Sequence, residues 1–196
     1  MSTKSDPNIV RKSEILTCGL AVLVEKGWRG TSMIAVASKA NASKETLYKW
    51  FGDKSGFFAA MIRENAKALD ASLPNDFSTM PLEEGLHAFG TEFLKLVTGD
   101  TAIAINRAAI AEAGHDPNMG QTLLQEGKAT SLPKLADWLS NHLDLKDPLQ
   151  AAERFVVLVK GDTQLECLLG ATSRPSKERI SAQVSVAVTD FLKLYT

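Results

Sequence analysis

Twenty-four residues, Thr31 to Lys54, constrain this chain more than any other stretch. They read TSMIAVASKANASKETLYKWFGDK, two short helical patterns with hardly any chain between them. Ser32 can cap a first helix whose inward positions are Met33, Val36, Ala37 and Ala40, a spacing of three and four that gathers small and apolar groups on one face. Asn41 follows where a left-handed residue would end that helix, and Asn adopts this conformation more readily than other side-chain-bearing residues. Ser43 can then accept from the first free N–H groups of a second helix running to Phe51. So short a joint forces the axes to cross steeply and leaves the start of the second helix pointing outward.

On that second helix Leu47 and Phe51 sit four apart and share the inner side, while Lys44, Glu45, Thr46, Tyr48, Lys49 and Trp50 occupy the remainder. Backbone N–H groups at the Ser43 end, two ammonium groups and a phenol suit a groove walled by phosphates and floored by base edges. Asp53 is placed to cap the next helix, with Lys54 in its first turn. A lysine there opposes the helix dipole unless an anion such as a DNA phosphate lies near. Glu45 has two readings: a carboxylate can accept from a cytosine amino group, or it simply complements the helix N-terminus.

From about Arg11 to Phe58, and most clearly in G-x-G-T-S through L-Y-x-x-F-x-x-K, the chain resembles the DNA-binding domain of the TetR family of bacterial one-component regulators. That resemblance implies Thr31 and Lys54 as phosphate contacts, Ser43 to Thr46 with Tyr48 and Lys49 as the groove-facing set, and Leu47 and Phe51 as core. Three positions depart from the family pattern. Asn41 stands where Gly is usual, Ala42 where a larger aliphatic residue is usual, and Ile34 at a commonly polar place. None removes a DNA-facing group.

Charge is distributed unevenly. Residues 1–60 hold nine Lys or Arg against five Asp or Glu, whereas residues 61–196 hold thirteen against eighteen. The basic part is the part that carries the outward helix. Lys4, Arg11 and Lys12 sit near the start, where an arm can reach phosphates or a minor groove, or simply be solvated. Cys18 and Cys167 lie far apart in apolar helical settings and read as buried thiols of a reducing compartment. The longest apolar run, from Ile15 to Val24, is about half of what a membrane helix needs, and no signal peptide pattern is seen. A cytoplasmic protein without membrane contact is expected.

The first helix is expected from Asp6-Pro7 to Gly27, with Ile15, Leu16, Leu20, Leu23 and Val24 as its stripe, completing a three-helix head. A fourth helix from Lys54 to Leu73 would connect this head to the remainder. Five helical stretches follow, at Pro81 to Thr98, Thr101 to Ala113, Pro117 to Leu143 with a kink or break near Ser131 ahead of Pro133, Pro148 to Leu169, and Pro175 to Tyr195. The fold class is therefore all-α, with about nine helices by this punctuation. It comprises a helix-turn-helix domain at 1–56 and a ligand-binding and dimerisation bundle at 57–196. A-E-A-G-H-D-P with L-L-Q-E-G-K, from Ala111, and D-P-L-Q-A-A-E-R-F-V-V-L-V-K-G, from Asp147, resemble the AefR-like branch of the same family.

The last two stretches are rich in apolar positions. Phe155 and Val159 on one, with Ile180, Val184, Val188 and Phe191 on the other, are the expected faces of a homodimer built as a four-helix bundle. Phe89, Phe93, Leu96, Ile105, Leu124, Trp138 and Phe155 are candidates to line a cavity for a small-molecule effector, although most such residues are ordinary core. Glu92, Arg107, Gln121 and Glu166 are its candidate polar contacts. His87, His115 and His142 show no metal spacing, and no phosphate loop or nucleophile constellation occurs, so no metal, cofactor or catalytic residue is expected. The expected function is a ligand-responsive dimeric regulator, in this family most often a repressor, on a roughly palindromic double-stranded operator. The alternative is a helical sensor or adaptor that uses the same surface to bind protein.

Overall fold

Helix α1, Pro7–Gly30, begins as its sequence requires. Pro7 brings a locked φ suited to the first turn, and the Asp6 side chain accepts from the Asn8 N–H at 2.9 Å. The computed structural model describes residues 6–196, so Lys4 of the expected arm lies outside the described residues. Next come α2 (Met33–Lys39), α3 (Lys44–Phe51), α4 (Lys54–Ser72), a 3-10 turn at Phe77–Thr79, α5 (Leu82–Val97) and α6 (Asp100–Glu112). The chain ends with α7 (Pro117–Ser140), α8 (Pro148–Lys160), α9 (Thr163–Leu169) and α10 (Lys177–Tyr195). The fold is all-α.

Three local expectations need correction. Ten helices rather than nine are described, because Gly161, at φ 44 and ψ −139, divides the stretch after Pro148 into α8 and α9. L-residues with side chains rarely adopt such a φ, so a glycine there ends the helix. The break expected near Ser131 is absent: α7 continues through Pro133. Its flanking Leu132, Leu135, Ala136 and Leu139 are buried in a common core, and that packing outweighs the one hydrogen bond proline forfeits. In α1, Val24 is exposed and Leu20 only half-buried, while Gly19 and Val22 take the inner face beside Ile15, Leu16 and Leu23.

Contacts gather the chain into two compact units, one of residues up to Asn65 with Ala104–Glu126, the other of Ala66–Ile103 with Gly127–Thr196. The partition cuts α4, α6 and α7. Unit one closes around Ile15, Leu23, Val36, Leu47, Phe57, Phe58 and Met61, joined by Ile105, Ala108 and Met119. Close approach is purchased with small residues: a Cβ on Gly19 would stand 2.4 Å from the Phe57 ring.

In unit two α10 packs against both α5 and α8. The residues expected at a subunit interface take part in this packing. Phe155, Val159, Ile180, Val184, Val188 and Phe191 are each at most 4% exposed, inside the unit's own core. The α10 stripe that seemed to lack a partner meets α5, where a Cβ on Gly90 would lie 2.9 Å from Val184 Cγ1. Burying each of these side chains contributes about 1.5–3 kcal/mol to the unit itself. The outer faces of α8, α9 and α10 instead expose Val157, Leu165 and Val186.

Candidate nucleic-acid interface

Each hydrogen bond of the helix-turn-helix follows from a residue type. The Ser32 hydroxyl accepts from Ala35 N–H at 3.1 Å to start α2, which buries Met33, Val36, Ala37 and, just past its end, Ala40. Asn41 then takes φ 48, the one positive φ outside glycine among the described residues, and the Ala42 N–H turns back to the Ala37 carbonyl at 2.9 Å. Ser43 opens α3 by accepting from Thr46 N–H at 3.1 Å. Leu47 is fully buried and Phe51 packs edge-on to Phe57, so the other face of α3 points outward.

That face presents Ser43, Lys44, Glu45, Tyr48 and Lys49 exposed, with Thr46 and Trp50 half-buried. Lys44 Nζ lies 5.6 Å from the Tyr48 ring centroid and Lys12 Nζ 5.7 Å from that of Trp50, close enough for a cation to favour the ring face. Glu45 folds back on the helix start. Its own backbone N–H, then the Ser43 hydroxyl, hold its carboxyl below the usual glutamate range.

Three side chains given to DNA contacts are otherwise engaged. Thr31 is 1% exposed, and its hydroxyl donates to the Gly27 carbonyl at 2.8 Å. That carbonyl is left over where α1 loses helical geometry at Gly27, φ 65, so Thr31 mends the helix end. Lys54 lies over Trp28, with Nζ 3.9 Å from the ring centroid and 3.0 Å from the Trp28 carbonyl oxygen. Burial pushes its ammonium below the usual lysine range, an effect that the Glu112 carboxylate opposes. Arg11, expected in the arm, donates to the carbonyls of Ala40 at 2.6 Å and Asn41 at 3.1 Å and pairs with Glu14. It braces the turn from 29 residues away. No local pattern signals such a contact.

The candidate effector residues divide between the two units. Phe89, Phe93, Leu96, Trp138 and Phe155 belong to unit two, where Phe89 stacks on Phe93 at 5.9 Å and Phe155 meets Phe191 at 5.2 Å. Ile105 is buried in unit one, and Leu124, also in unit one, is 64% exposed. Glu92 pairs with Lys95 and Glu166 with Arg179. His142 sets one ring nitrogen 2.9 Å from the Trp138 carbonyl and the other 3.0 Å from that of Met80. Among the described residues no group of three or more His, Cys, Asp or Glu could hold a metal, and no helix is long and apolar enough to cross a membrane. Neither Cys18 nor Cys167 forms a disulfide among the described residues; Cys167 is buried and Cys18 only half-buried.

Residues 84–196 match the family model of the C-terminal domain of AefR-like transcriptional repressors, and residues 15–61 match that of the tetR family of bacterial regulatory proteins. The solved structure of a TetR transcriptional regulator from Agrobacterium tumefaciens is 31% identical, covers 97% of this chain and 95% of that one, and superposes with a TM-score of 0.78. The flavonoid-responsive regulator FrrA is 28% identical over 94% of this chain and 96% of its own, with a TM-score of 0.70. A curated relative, the HTH-type transcriptional regulator HbdR of Aromatoleum sp. (strain CIB), is 25% identical over 91 residues, 44% of this chain and 40% of that protein. The chain spans less than half the length of the curated relatives it matches.

Proposed function

Because this chain belongs to the TetR family of bacterial transcriptional regulators, with an AefR-like C-terminal domain, we propose that it is a ligand-released repressor that binds a palindromic operator as a homodimer. Residues 1–56 would read DNA, while residues 57–196 would bind the effector and hold the dimer. The observation that carries this reading is the outer face of α3. Its capped N-terminus, Ser43, Lys44, Thr46, Tyr48 and Lys49 form a compact set of donors beside a basic head, with Leu47 fixing the rotation of the helix beneath them. Lys44 and Lys49 supply charge, Thr46 and Tyr48 hydroxyls suited to base edges or phosphates, and Trp50 flanks the set with Lys12 against its ring. Thr31 acts from inside.

Homodimerisation is proposed through the outer faces of α8 and α10. Val157 and Val186 are 61% and 59% exposed, and a groove of about 310 Å3 lined by Val157, Leu158 and Leu194 has Glu153 and Arg154 at its edge. Two such faces brought together by a two-fold axis would set the heads about one DNA turn, ~34 Å, apart. An effector preferring a different head spacing weakens operator binding by its own differential affinity, typically about 1–3 kcal/mol, or roughly 5–150-fold. The aromatic side chains of unit two, together with the flavonoid response in the name of FrrA, support an aromatic small molecule as the class to test first.

Selection from random double-stranded DNA followed by sequencing tests the proposal. A palindrome with half-sites about one turn apart is expected. Failure to retain any duplex at low ionic strength would overturn it.

A further inference from the structure

The last carbonyls of a helix have no partner within it, and where α2 gives way to the turn they are met from α1. Arg11 Nη2 donates to the Ala40 carbonyl at 2.6 Å and to the Asn41 carbonyl at 3.1 Å, and Cys18 Sγ lies 3.8 Å from the Lys39 carbonyl oxygen. Arg11, Glu14 and Cys18 follow one another at three and four residues along α1, which puts them on one face. Charge suits the place as well, because the end of a helix carries partial negative charge that a guanidinium complements. Glu14 holds the other terminal nitrogen, Nη1, at 2.7 Å, so the fork is anchored on one side and aimed on the other.

Two successive carbonyls converging on one nitrogen fix more than a distance. The Ala40 carbonyl belongs to the peptide before Asn41 and the Asn41 carbonyl to the peptide after it, so holding both sets the rotations on either side of the Asn41 Cα. That is the residue with φ 48, where the chain leaves α2 and swings to Ser43. The side chains of the joint add little constraint. Ala40 is buried and Ala42 half-buried, but each is a single methyl, and Asn41 and Ser43 are exposed. Buried Leu47 sets the rotation of α3 about its own axis, whereas the place of its Ser43 end is set at the joint.

We propose that Arg11 is a positioning residue for sequence-specific DNA recognition: from α1 it holds the Asn41 joint in the conformation that seats the Ser43 end of α3 in the groove, and it does so without touching DNA. Both N–H groups of Nη2 are taken by the two carbonyls and Nη1 is turned to Glu14, so a phosphate would have to displace partners already in place. The proposal rests on the DNA-binding reading of α3. Base-edge hydrogen bonds demand a placement that phosphate attraction does not, so a loosened joint lowers affinity for the operator and leaves attraction to any duplex.

Affinities of the full chain for an operator recovered from random duplexes and for a random duplex of equal length, each over a salt series, test this with Arg11→Met and Arg11→Lys. Arg11→Met keeps most of the stem and should weaken operator binding at least about tenfold and random-duplex binding less than about twofold, with the salt slope unchanged. Arg11→Lys restores the charge but not the fork, and should fall well short of the wild type. Equal losses on both duplexes with a slope shallower by about 1 make Arg11 a phosphate contact and overturn the proposal, as does full rescue by lysine. A lower melting temperature with the operator-to-random ratio intact makes Arg11 a stabiliser of the fold and overturns it too. Amide hydrogen exchange needs no DNA: Arg11→Met should speed exchange at Ala42 and Thr46 at least about tenfold, while Leu69 in unit two keeps its rate. Unchanged exchange at Ala42 and Thr46 overturns the proposal. A wild-type chain that holds no duplex while the exchange contrast persists overturns the DNA-binding reading and supports only the hold of Arg11 on the joint.

Discussion

The ammonium of Lys54 stands 3.9 Å above the centroid of the Trp28 ring and donates to the carbonyl of that same residue at 3.0 Å. The first residue of α4 is thereby tied to the last turn of α1. Lys54→Met keeps the length of the stem but removes the charge, and should destabilise unit one by about 1–2 kcal/mol, read as a lower urea midpoint. An unchanged midpoint with a sequence-independent loss of DNA affinity and a shallower salt dependence would instead make Lys54 a phosphate contact alone.

Asn41 carries a left-handed φ of 48 with a side chain attached. Glycine adopts this conformation freely, whereas a β-branched residue meets the following carbonyl. Asn41→Gly should therefore be neutral or stabilising by up to about 1 kcal/mol, and Asn41→Val destabilising by about 1–2 kcal/mol, in the same urea experiment. Equal midpoints for the two variants would mean that the turn relaxes out of this conformation.

Glu45 gives a dependence on pH. Its proton affinity is reduced in the folded chain by its own N–H and by the Ser43 hydroxyl, so the stabilisation is present above the ordinary glutamate range and is lost as pH falls through the lower folded-state value. Wild type should exceed Glu45→Gln in stability near neutral pH, and the gap should close on acidification below the usual glutamate range. A gap that widens toward acid reverses the assignment. Selection from random DNA adds a second readout: altered preference at one base pair identifies Glu45 as a reader, and unaltered preference as a complement to the helix dipole.

Two faces of one turn of α10 should separate assembly from folding. Val186 is 59% exposed and Val184 fully buried. Val186→Glu is expected to give a folded monomer with weakened operator binding, whereas Val184→Glu buries an unpaired carboxylate and should unfold unit two at a cost of several kcal/mol. Sedimentation and circular dichroism distinguish the two. A Val186→Glu protein that stays dimeric removes the outer face of α10 from the interface.

Close helix approach at α5 is testable as well. A Cβ on Gly85 would lie 2.2 Å from Trp138 Cζ2, and the Trp138 indole is held by a hydrogen bond to the Phe77 carbonyl. The ring cannot retreat without losing that bond. Gly85→Ala should cost about 1–3 kcal/mol, seen as a lower melting temperature.

Local features were legible in the sequence and remote ones were not. Ser32, Asn41, Ser43 and Asp53 act on backbone groups within a few residues, and the helices they bound lie where those residues predict them. The stretch after Pro148 reads as one helix although Gly161-Asp162 is punctuation, since its apolar pattern runs across the break. Periodicity identifies the α10 stripe but not α5 as a neighbour of it. A stripe records that a face is buried and not against what, and α5 lies some eighty positions away, as about 80 residues part Leu82–Val97 from Lys177–Tyr195. The intramolecular contacts of Arg11 and Lys54 are invisible for the same reason, because the carbonyls they meet belong to distant turns.

Thr31 closes the open carbonyl of Gly27 from within, at the entry to α2. Thr31→Val would preserve its shape and orphan that oxygen, whereas exchanges at Lys44, Thr46 or Lys49 leave the seam untouched. The head therefore behaves as a printing block with a fixed frame and movable type: target preference can be recomposed on one short helix without recasting the joint that carries it.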